Sequence, residues 1–178
     1  MAHVFEAAPT GRARCRGCGQ ALARGELRFG ERVPNAFGSG EASLWFHPVC
    51  AAFKRPEPLL EALAAPPEGL AERETLERIA RAQLAHPRLP RIDGAERAPS
   101  SQAKCRHCKE PIERGTWRIK LLYYEEGRPS PGGSVHVGCR AAYFECDDAL
   151  AAVLRFSAGL DEAERQDLER ACRAPAPT

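Results

Sequence analysis

Apolar residues near the middle and near the end of the chain recur at intervals of three or four positions. That spacing places them on one face of an α-helix and leaves polar residues on the other face. The first such stripe comprises Leu76, Ile79, Ala80 and Leu84. The second comprises Leu168, Ala171 and Cys172. The pattern predicts an amphipathic helix at each place, with its apolar face against a core.

A different pattern marks two other places, where β-favouring residues gather at 27–32 and at 117–124. Such runs predict short strands. Each run is followed by a stretch rich in Gly, Ser and Pro, at 35–43 and 127–134, which predicts a loop.

The two halves of the chain repeat one another at an offset of about ninety residues. Cysteine pairs, arginine-glycine pairs, His-x-x-Cys pairs and two helical fragments recur in the same order. The matching segments are 15–18 with 105–108, 24–28 with 114–118, 47–50 with 136–139, 69–70 with 159–160 and 76–78 with 168–170. Five matches in one order predict two copies of a single module.

This duplication sets the expected domain organisation. We expect an α+β fold made of two small modules, each a short antiparallel sheet with a cysteine knuckle followed by helices. The first module covers 1–90 and the second, more divergent one covers 101–178. Between them 91–100 reads as a linker, since prolines are frequent around it and apolar periodicity is weak.

Composition indicates that each module needs a covalent or metal staple. Of the 178 residues 43% are hydrophobic but 7% are aromatic, so a core of about ninety residues is thin. The start of the chain lacks the pattern of a signal peptide, and no run is long and apolar enough to span a membrane. A reducing compartment is therefore expected, where paired cysteines bind metal more often than they form disulfides.

The cysteine and histidine spacing predicts two zinc sites. Cys-x-x-Cys lets two thiolates of one turn reach the same ion, and His-x-x-Cys at a helix start supplies two more ligands. The predicted ligands are Cys15, Cys18, His47 and Cys50 for one Zn²⁺, and Cys105, Cys108, His136 and Cys139 for the other. Because four side chains fill each tetrahedral set, neither site retains a position for an activating water, and both ions are expected to be structural.

The other candidate residues favour structural roles. Cys172 lies on an apolar stripe, and Cys146 stands at helical spacing from apolar neighbours, so both are expected in the core. His107 lies inside the second knuckle and remains an alternative ligand. The sequence contains no nucleophile–base pair, phosphate loop or carboxylate pair at a useful spacing, so we do not expect an enzyme.

Positive charge is concentrated in the segments that contain the cysteine pairs. Residues 1–55 hold eight basic and four acidic residues, and 101–146 hold eight and five. The helical segments are acidic instead, with six basic and eight acidic residues in 57–98 and four and seven in 147–178. This asymmetry favours a polyanion as partner of the knuckle regions.

The first module resembles the poly(ADP-ribose) polymerase-type zinc finger. The resemblance rests on Gly-Arg-Ala at 11–13, the Cys-x-x-Cys pair at 15–18, Gly-Glu-Leu-Arg at 25–28, Trp-Phe-His-Pro-x-Cys at 45–50 and the Gly-Leu pair at 69–70. It covers both modules, although no transferase or ligase domain accompanies them.

The resemblance implies recognition of DNA breaks through backbone contacts and base stacking. Arg12 and Arg28 match the family's phosphate-contacting positions, and Phe37 matches a base-stacking position in the long loop. Two alternatives stay open from the residues themselves. Arg28 pairs with a carboxylate on a neighbouring strand, or Phe37 folds back onto its own domain.

The second module departs from this pattern. It keeps Arg118, but Gln102 replaces the arginine before the knuckle, and Ser134 stands where an aromatic residue precedes the ligand histidine. Its loop contains no aromatic residue, which weakens the expectation of base stacking there.

Two functions are compatible with the sequence. The first is a zinc-dependent DNA-binding protein that prefers ends or nicks; RNA is a lesser variant of it. The alternative is a zinc-stabilised adaptor that binds proteins through its acidic helical segments. We expect localisation at the nucleoid in the cytoplasm of a bacterium, or in the nucleus of a eukaryote, and no membrane association.

Overall fold

Two three-stranded antiparallel sheets, each accompanied by helices, form the protein in the computed structural model. The structure describes residues 2–125 and 128–175. The chain divides into two units, Met1–Ala85 and His86–Thr178. The predicted α+β class, with two sheets and two metal modules, is confirmed.

In the first unit the strand order is β1-β2-β3. The elements are β1 (Val4–Ala7), β2 (Leu27–Pro34), β3 (Glu41–Phe46), α1 (Pro48–Lys54), α2 (Pro56–Leu63) and α3 (Arg73–Ala85). Prolines open α1 and α2, where the missing N–H costs nothing because the first amides of a helix have no partner within it.

The core of this unit is built around Phe29 of β2, which is fully buried. Its ring centroid lies 5.5 Å from that of Phe5 on β1 and 6.5 Å from that of Phe46 on β3. The helices add buried aliphatic residues to the core of this unit: Leu59, Leu63 and Leu76. The three strands are thereby held together beside the knuckle that joins β1 to β2.

The second unit repeats this arrangement, with strand order β4-β5-β6. The elements are β4 (Ile92–Arg97), β5 (Trp117–Glu125), β6 (Arg128–His136), α4 (Arg140–Phe144), α5 (Leu150–Arg155) and α6 (Glu162–Arg173), with short 3₁₀ turns at Leu89–Arg91 and Val137–Cys139. Buried side chains of this core include Ile112, Ile119, Val135, Phe144 and Leu168.

The last helix, α6, is fixed at its start and along its length. Asp161 and Glu164 form a capping box, in which each side chain accepts from the other residue's backbone N–H. Leu168 and Cys172 are buried on the apolar face, as predicted for the second stripe. On its other side, Asp167 accepts a hydrogen bond from Trp117 Nε1 at 2.8 Å, which ties the helix to β5.

The predicted linker at 91–100 is wrong, because most of this segment is a strand of the second sheet. Ile92–Arg97 forms β4 and pairs with β5, and Ile92, Ala95 and Ala98 are buried. The division between units falls earlier, after Ala85. Helical and alternating patterns both fail to reveal this strand, because its register shifts between Ile92 and Ala95.

The predicted loops are also shorter in the structure. β3 begins at Glu41, inside the stretch 35–43, and β6 occupies 128–134 of the second loop. Residue 127 of that loop lies outside the described residues. The edge strand β1 was not predicted, because four residues are too few for a clear alternation.

The first amphipathic stripe is confirmed in part. Leu76 and Ala80 are buried, whereas Leu84 is 41% exposed. In the part of the chain that the structure describes, no helix combines the length and the apolar character that membrane crossing requires.

Candidate metal centres and surrounding surfaces

The structure brings together the four predicted ligands of the first site. The knuckle between β1 and β2 supplies Cys15 and Cys18, while His47 is the N-cap of α1 and Cys50 lies in the first turn of that helix. The four ligand atoms all lie within 4.8 Å of one another.

The second site repeats this construction. Cys105 and Cys108 come from the knuckle between β4 and β5. His136 is the last residue of β6, and Cys139 ends the 3₁₀ turn that follows. Their ligand atoms also lie within 4.8 Å of one another. Both predicted Cys₃His sets are therefore confirmed, and His107 lies outside the second set.

The distances between ligand atoms fit a tetrahedral zinc ion. Zn–S near 2.3 Å and Zn–N near 2.0–2.1 Å at tetrahedral angles place sulfur and nitrogen about 3.6 Å apart. His47 Nδ1 lies 3.4 Å from Cys18 Sγ and 3.9 Å from Cys50 Sγ. In the second site His136 Nδ1 lies 3.3 Å and 3.9 Å from the corresponding sulfurs. Soft thiolates with one imidazole are a donor set that suits zinc.

Backbone amides support one sulfur in each site. Gly17 and His47 donate N–H groups to Cys15 Sγ at 3.3 and 3.4 Å. In the second site His107 and His136 donate to Cys105 Sγ, both at 3.4 Å. These donors stabilise a thiolate and orient it toward the metal.

The thiol pKa values reflect these surroundings. The hydrogen bond from Cys50, opposed by burial and helped by the amides, lowers the pKa of Cys15 to about 4. Burial works against ionisation of Cys105, but the amides of His136, Cys108 and His107 lower its pKa to about 7. Burial raises the pKa of Cys139 to about 12. Burial raises the pKa of Cys18 in the first site as well, so each set combines one thiol of lowered pKa with one of raised pKa.

The outer nitrogen of each ligand histidine has a different partner. His47 Nε2 lies 3.6 Å from Glu26 Oε1, whereas His136 Nε2 lies 3.1 Å from the backbone oxygen of Pro111. The Pro111 oxygen is within hydrogen-bond distance and favours the tautomer in which Nδ1 faces the other ligands. The Glu26 carboxylate lies at ion-pair distance and can orient its ring in the same way. The sequence did not reveal Glu26 as a partner of the histidine. The second copy has Thr116 at the matching position, so the repeat contains no shared carboxylate there.

The sites also differ in exposure. Cys15 and Cys50 are buried and Cys18 is half-buried. In the second site Cys105 is buried, but Cys139 is half-buried and Cys108 is exposed. Solvent therefore reaches the second set of ligands more easily.

Arg28 and Arg118 occupy equivalent places in the two sheets. Arg28 donates to Glu6 on β1, with Nη2 2.5 Å from Oε1, and Arg118 donates to Glu96 on β4 at 2.6 Å. Arg28 is 7% exposed, and its guanidinium carbon lies 3.5 Å from the centroid of the Trp45 ring. The neighbouring-strand ion pair considered for Arg28 is present in both units, and a phosphate contact by either arginine stays a prediction.

These glutamates were missed because their strands were missed. A signal was available, since Glu-x-Ala-Pro occurs at 6–9 and again at 96–99, at the same offset as the cysteines. It extends the duplication back to the first strand of each unit.

The two remaining predicted contact residues lie on the surface of the first unit. Phe37 is 89% exposed in the turn between β2 and β3, where Asn35 Oδ1 accepts from its backbone N–H at 3.0 Å. Arg12 is exposed just before the knuckle. The exposure of Phe37 contradicts the alternative in which it folds back onto its own domain.

The chain has a partial likeness to a known protein. No family model matches the chain. A poly [ADP-ribose] polymerase of Drosophila melanogaster is 28% identical over 140 residues, which covers 70% of this chain and 14% of the relative. The chain thus spans a small part of that enzyme's length. The likeness and the two Cys₃His sets together fit zinc-finger modules.

Proposed function

We propose that this chain is a zinc-stabilised DNA-binding protein that recognises strand ends or nicks. The observation that carries the proposal is Phe37, a large aromatic side chain 89% exposed at the tip of the β2–β3 hairpin. An aromatic ring with that exposure is accessible to a partner, and covering its apolar surface would be favourable. A base pair exposed at a break offers a flat apolar face of matching shape.

The charge of the same unit favours a nucleic acid as the partner. Arg12 and three further exposed arginines lie around the first knuckle: Arg14, Arg16 and Arg24. Guanidinium groups bind phosphate oxygens through paired hydrogen bonds. Binding would begin with electrostatic capture of the backbone and end with Phe37 stacked on the exposed base, a contact of about 1–3 kcal/mol that ignores base identity.

The zinc ions serve this function as structural parts. Residues at the knuckles and at the start of the following helix would hold each ion, which would lock the chain around them. Four protein ligands leave no coordination position for water, so we propose a binding rather than a catalytic role. Such a protein would work where the cell keeps its DNA, in the nucleoid or the nucleus.

Fluorescence anisotropy with matched DNA dumbbells tests the proposal. One dumbbell is closed and the other carries a single nick, with the zinc-loaded protein at about 0.15 M salt, the physiological ionic strength. Wild type should prefer the nicked dumbbell, and Phe37→Ala should lose about 1–3 kcal/mol of that binding. Leu84→Ala is the matched control, because it removes another exposed large apolar side chain and should change nothing.

The other outcomes are equally informative. Equal binding to the two dumbbells would leave a DNA-binding protein without break recognition. Failure to bind either dumbbell would overturn the proposal and move the protein-binding adaptor into its place.

A further inference from the structure

One cross-strand pair distinguishes the two sheets. In the first unit Gly30 of β2 lies opposite Trp45 of β3, and in the second unit Lys120 of β5 lies opposite Ser134 of β6. The positions are equivalent, because a knuckle N–H donates to the carbonyl of Trp45 at 2.8 Å and to that of Ser134 at 3.0 Å.

Trp45 fills this face of the first sheet. Its ring lies directly over Gly30, where an added Cβ would come within 2.6 Å of ring carbon Cζ3. The same ring covers the guanidinium of Arg28 at 3.5 Å. A lysine at position 30 would therefore force the tryptophan ring to move.

Ser134 has no ring, and a groove of about 650 Å³ opens at the corresponding place in the second unit. Its lining contains five basic side chains and two acidic ones. The basic residues are Lys104, Arg106, Lys109, Arg118 and Lys120. Glu96 neutralises Arg118, and Asp93 offsets one of the other four, so the lining keeps a surplus of three positive charges. Leu122 and Pro131 contribute an apolar part of the wall.

A β-bulge shapes the edge of this groove. The register of β5 and β6 shifts between Lys120 and Leu122, where Gly132 and Gly133 together lie opposite a single residue. Gly133 has φ +88°, and a Cβ there would come within 2.7 Å of Arg106 Nε. Arg106 Nε donates to the Gly132 carbonyl at 2.9 Å. Gly133 thus lets the arginine lie along the strand, while Gly132 leaves room for the Tyr123 ring. Bulges are used for side-chain placement of this kind.

We propose that this groove binds a nucleotide unit, meaning a phosphate carried on a sugar and a planar base. The volume falls within the range of about 300–1,000 Å³ typical of small-ligand sites. Lysine and arginine side chains on one side match a phosphate, and the apolar wall matches a base. The unit is either the terminal nucleotide of a strand or a free nucleotide. The site belongs to the second unit and Phe37 to the first, so the proposal does not depend on break recognition.

The test uses the full, zinc-loaded chain and a 3′-labelled trithymidylate carrying a 5′-phosphate. Lys120→Ala removes one cation, and the double variant Lys120→Gly with Ser134→Trp rebuilds the pair found in the first unit. Each should weaken binding at least about tenfold, as expected when a charge-assisted contact is lost. Phe37→Ala should bind the probe as wild type does. Zinc content confirms that each variant is folded, and Lys120→Ala keeps the test valid should the double variant fail to fold.

Unlabelled competitors distinguish the terminal nucleotide of a strand from a free nucleotide as the ligand. Competition by the phosphorylated trinucleotide alone would identify a strand end, and equal competition by thymidine monophosphate would identify a free nucleotide. Equal competition by thymidine would overturn the need for phosphate. Unchanged binding by both groove variants, or loss of binding with Phe37→Ala alone, would overturn the proposed site.

Discussion

Glu26 Oε1 lies 3.6 Å from His47 Nε2, on the side of the imidazole that faces away from the metal. In the second unit the matching position is Thr116, and the backbone of Pro111 takes over as partner of His136. The two zinc sites thus share their ligands but differ in what orients the histidine.

Replacing this carboxylate should weaken the first zinc site selectively. Glu26→Ala should lower its zinc affinity about 10–100-fold, the usual effect of removing a group that orients a metal ligand. Competition with a chromogenic chelator measures the affinity. Thr116→Ala is the matched control in the second unit and should leave both affinities unchanged. Equal losses in the two variants would mean that Glu26 acts on the fold rather than on the histidine.

A chelator should empty the second site first. Cys108 is exposed, whereas the corresponding Cys18 is half-buried, so solvent and chelator reach the second ion more readily. After timed exposure to EDTA, alkylation with N-ethylmaleimide and peptide mapping should find Cys108 and Cys139 modified before Cys15 and Cys50. Simultaneous modification of both sets would contradict the predicted order.

Acid should empty the sites in the same order. Zinc binds thiolates, so protons compete with it. A lowered pKa stabilises the ionised form, and that advantage is lost only as the pH falls through the lowered value. For Cys15 the value is about 4, and for Cys105 it is about 7. In an NMR titration downward from pH 7, the His107 amide should therefore shift at a higher pH than the Gly17 amide.

The second knuckle contains a correctable backbone strain. Lys109 has φ +68°, where the first knuckle has Gly19 at +74°. Side chains disfavour this left-handed region, so Lys109→Gly should raise the free energy of unfolding by about 0.5–1 kcal/mol. Denaturant unfolding of the zinc-loaded protein measures it. Lys109→Ala removes the charge but keeps the Cβ and should give no gain, while Gly19→Lys should be destabilising by about 1 kcal/mol.

Arg12 should account for one phosphate contact if the proposed DNA binding is correct. Arg12→Gln installs the residue that the second unit has at position 102. The slope of log affinity against log salt should become about 0.9 less negative, since one fewer counterion is released. Arg78→Gln, an equal change of charge at an exposed position of α3, should leave the slope as it is. Identical slopes in both variants would remove Arg12 from the interface.

The sequence revealed the two metal sites because ligand spacing is a local property. Cys15 and Cys18 must lie on one turn to share an ion, whatever surrounds them. The edge strands β1 and β4 escaped prediction because they are short and gain their stability from pairing with a distant strand. Missing β1 also hid the carboxylate that neutralises Arg28, since Glu6 lies 22 residues away in the chain. Long-range partners of this kind have no local signature.

The pair opposite each other in the two sheets has a consequence for how the copies diverged after duplication. One copy holds glycine with tryptophan and the other holds lysine with serine. A chain carrying lysine together with tryptophan would need the ring to move, because even a Cβ at the glycine position would lie 2.6 Å from ring carbon Cζ3. Divergence of the copies through glycine with serine avoids this clash, whereas divergence through lysine with tryptophan would require the ring to find another place. The two positions are therefore coupled, and a change at one alters which residues the other accepts.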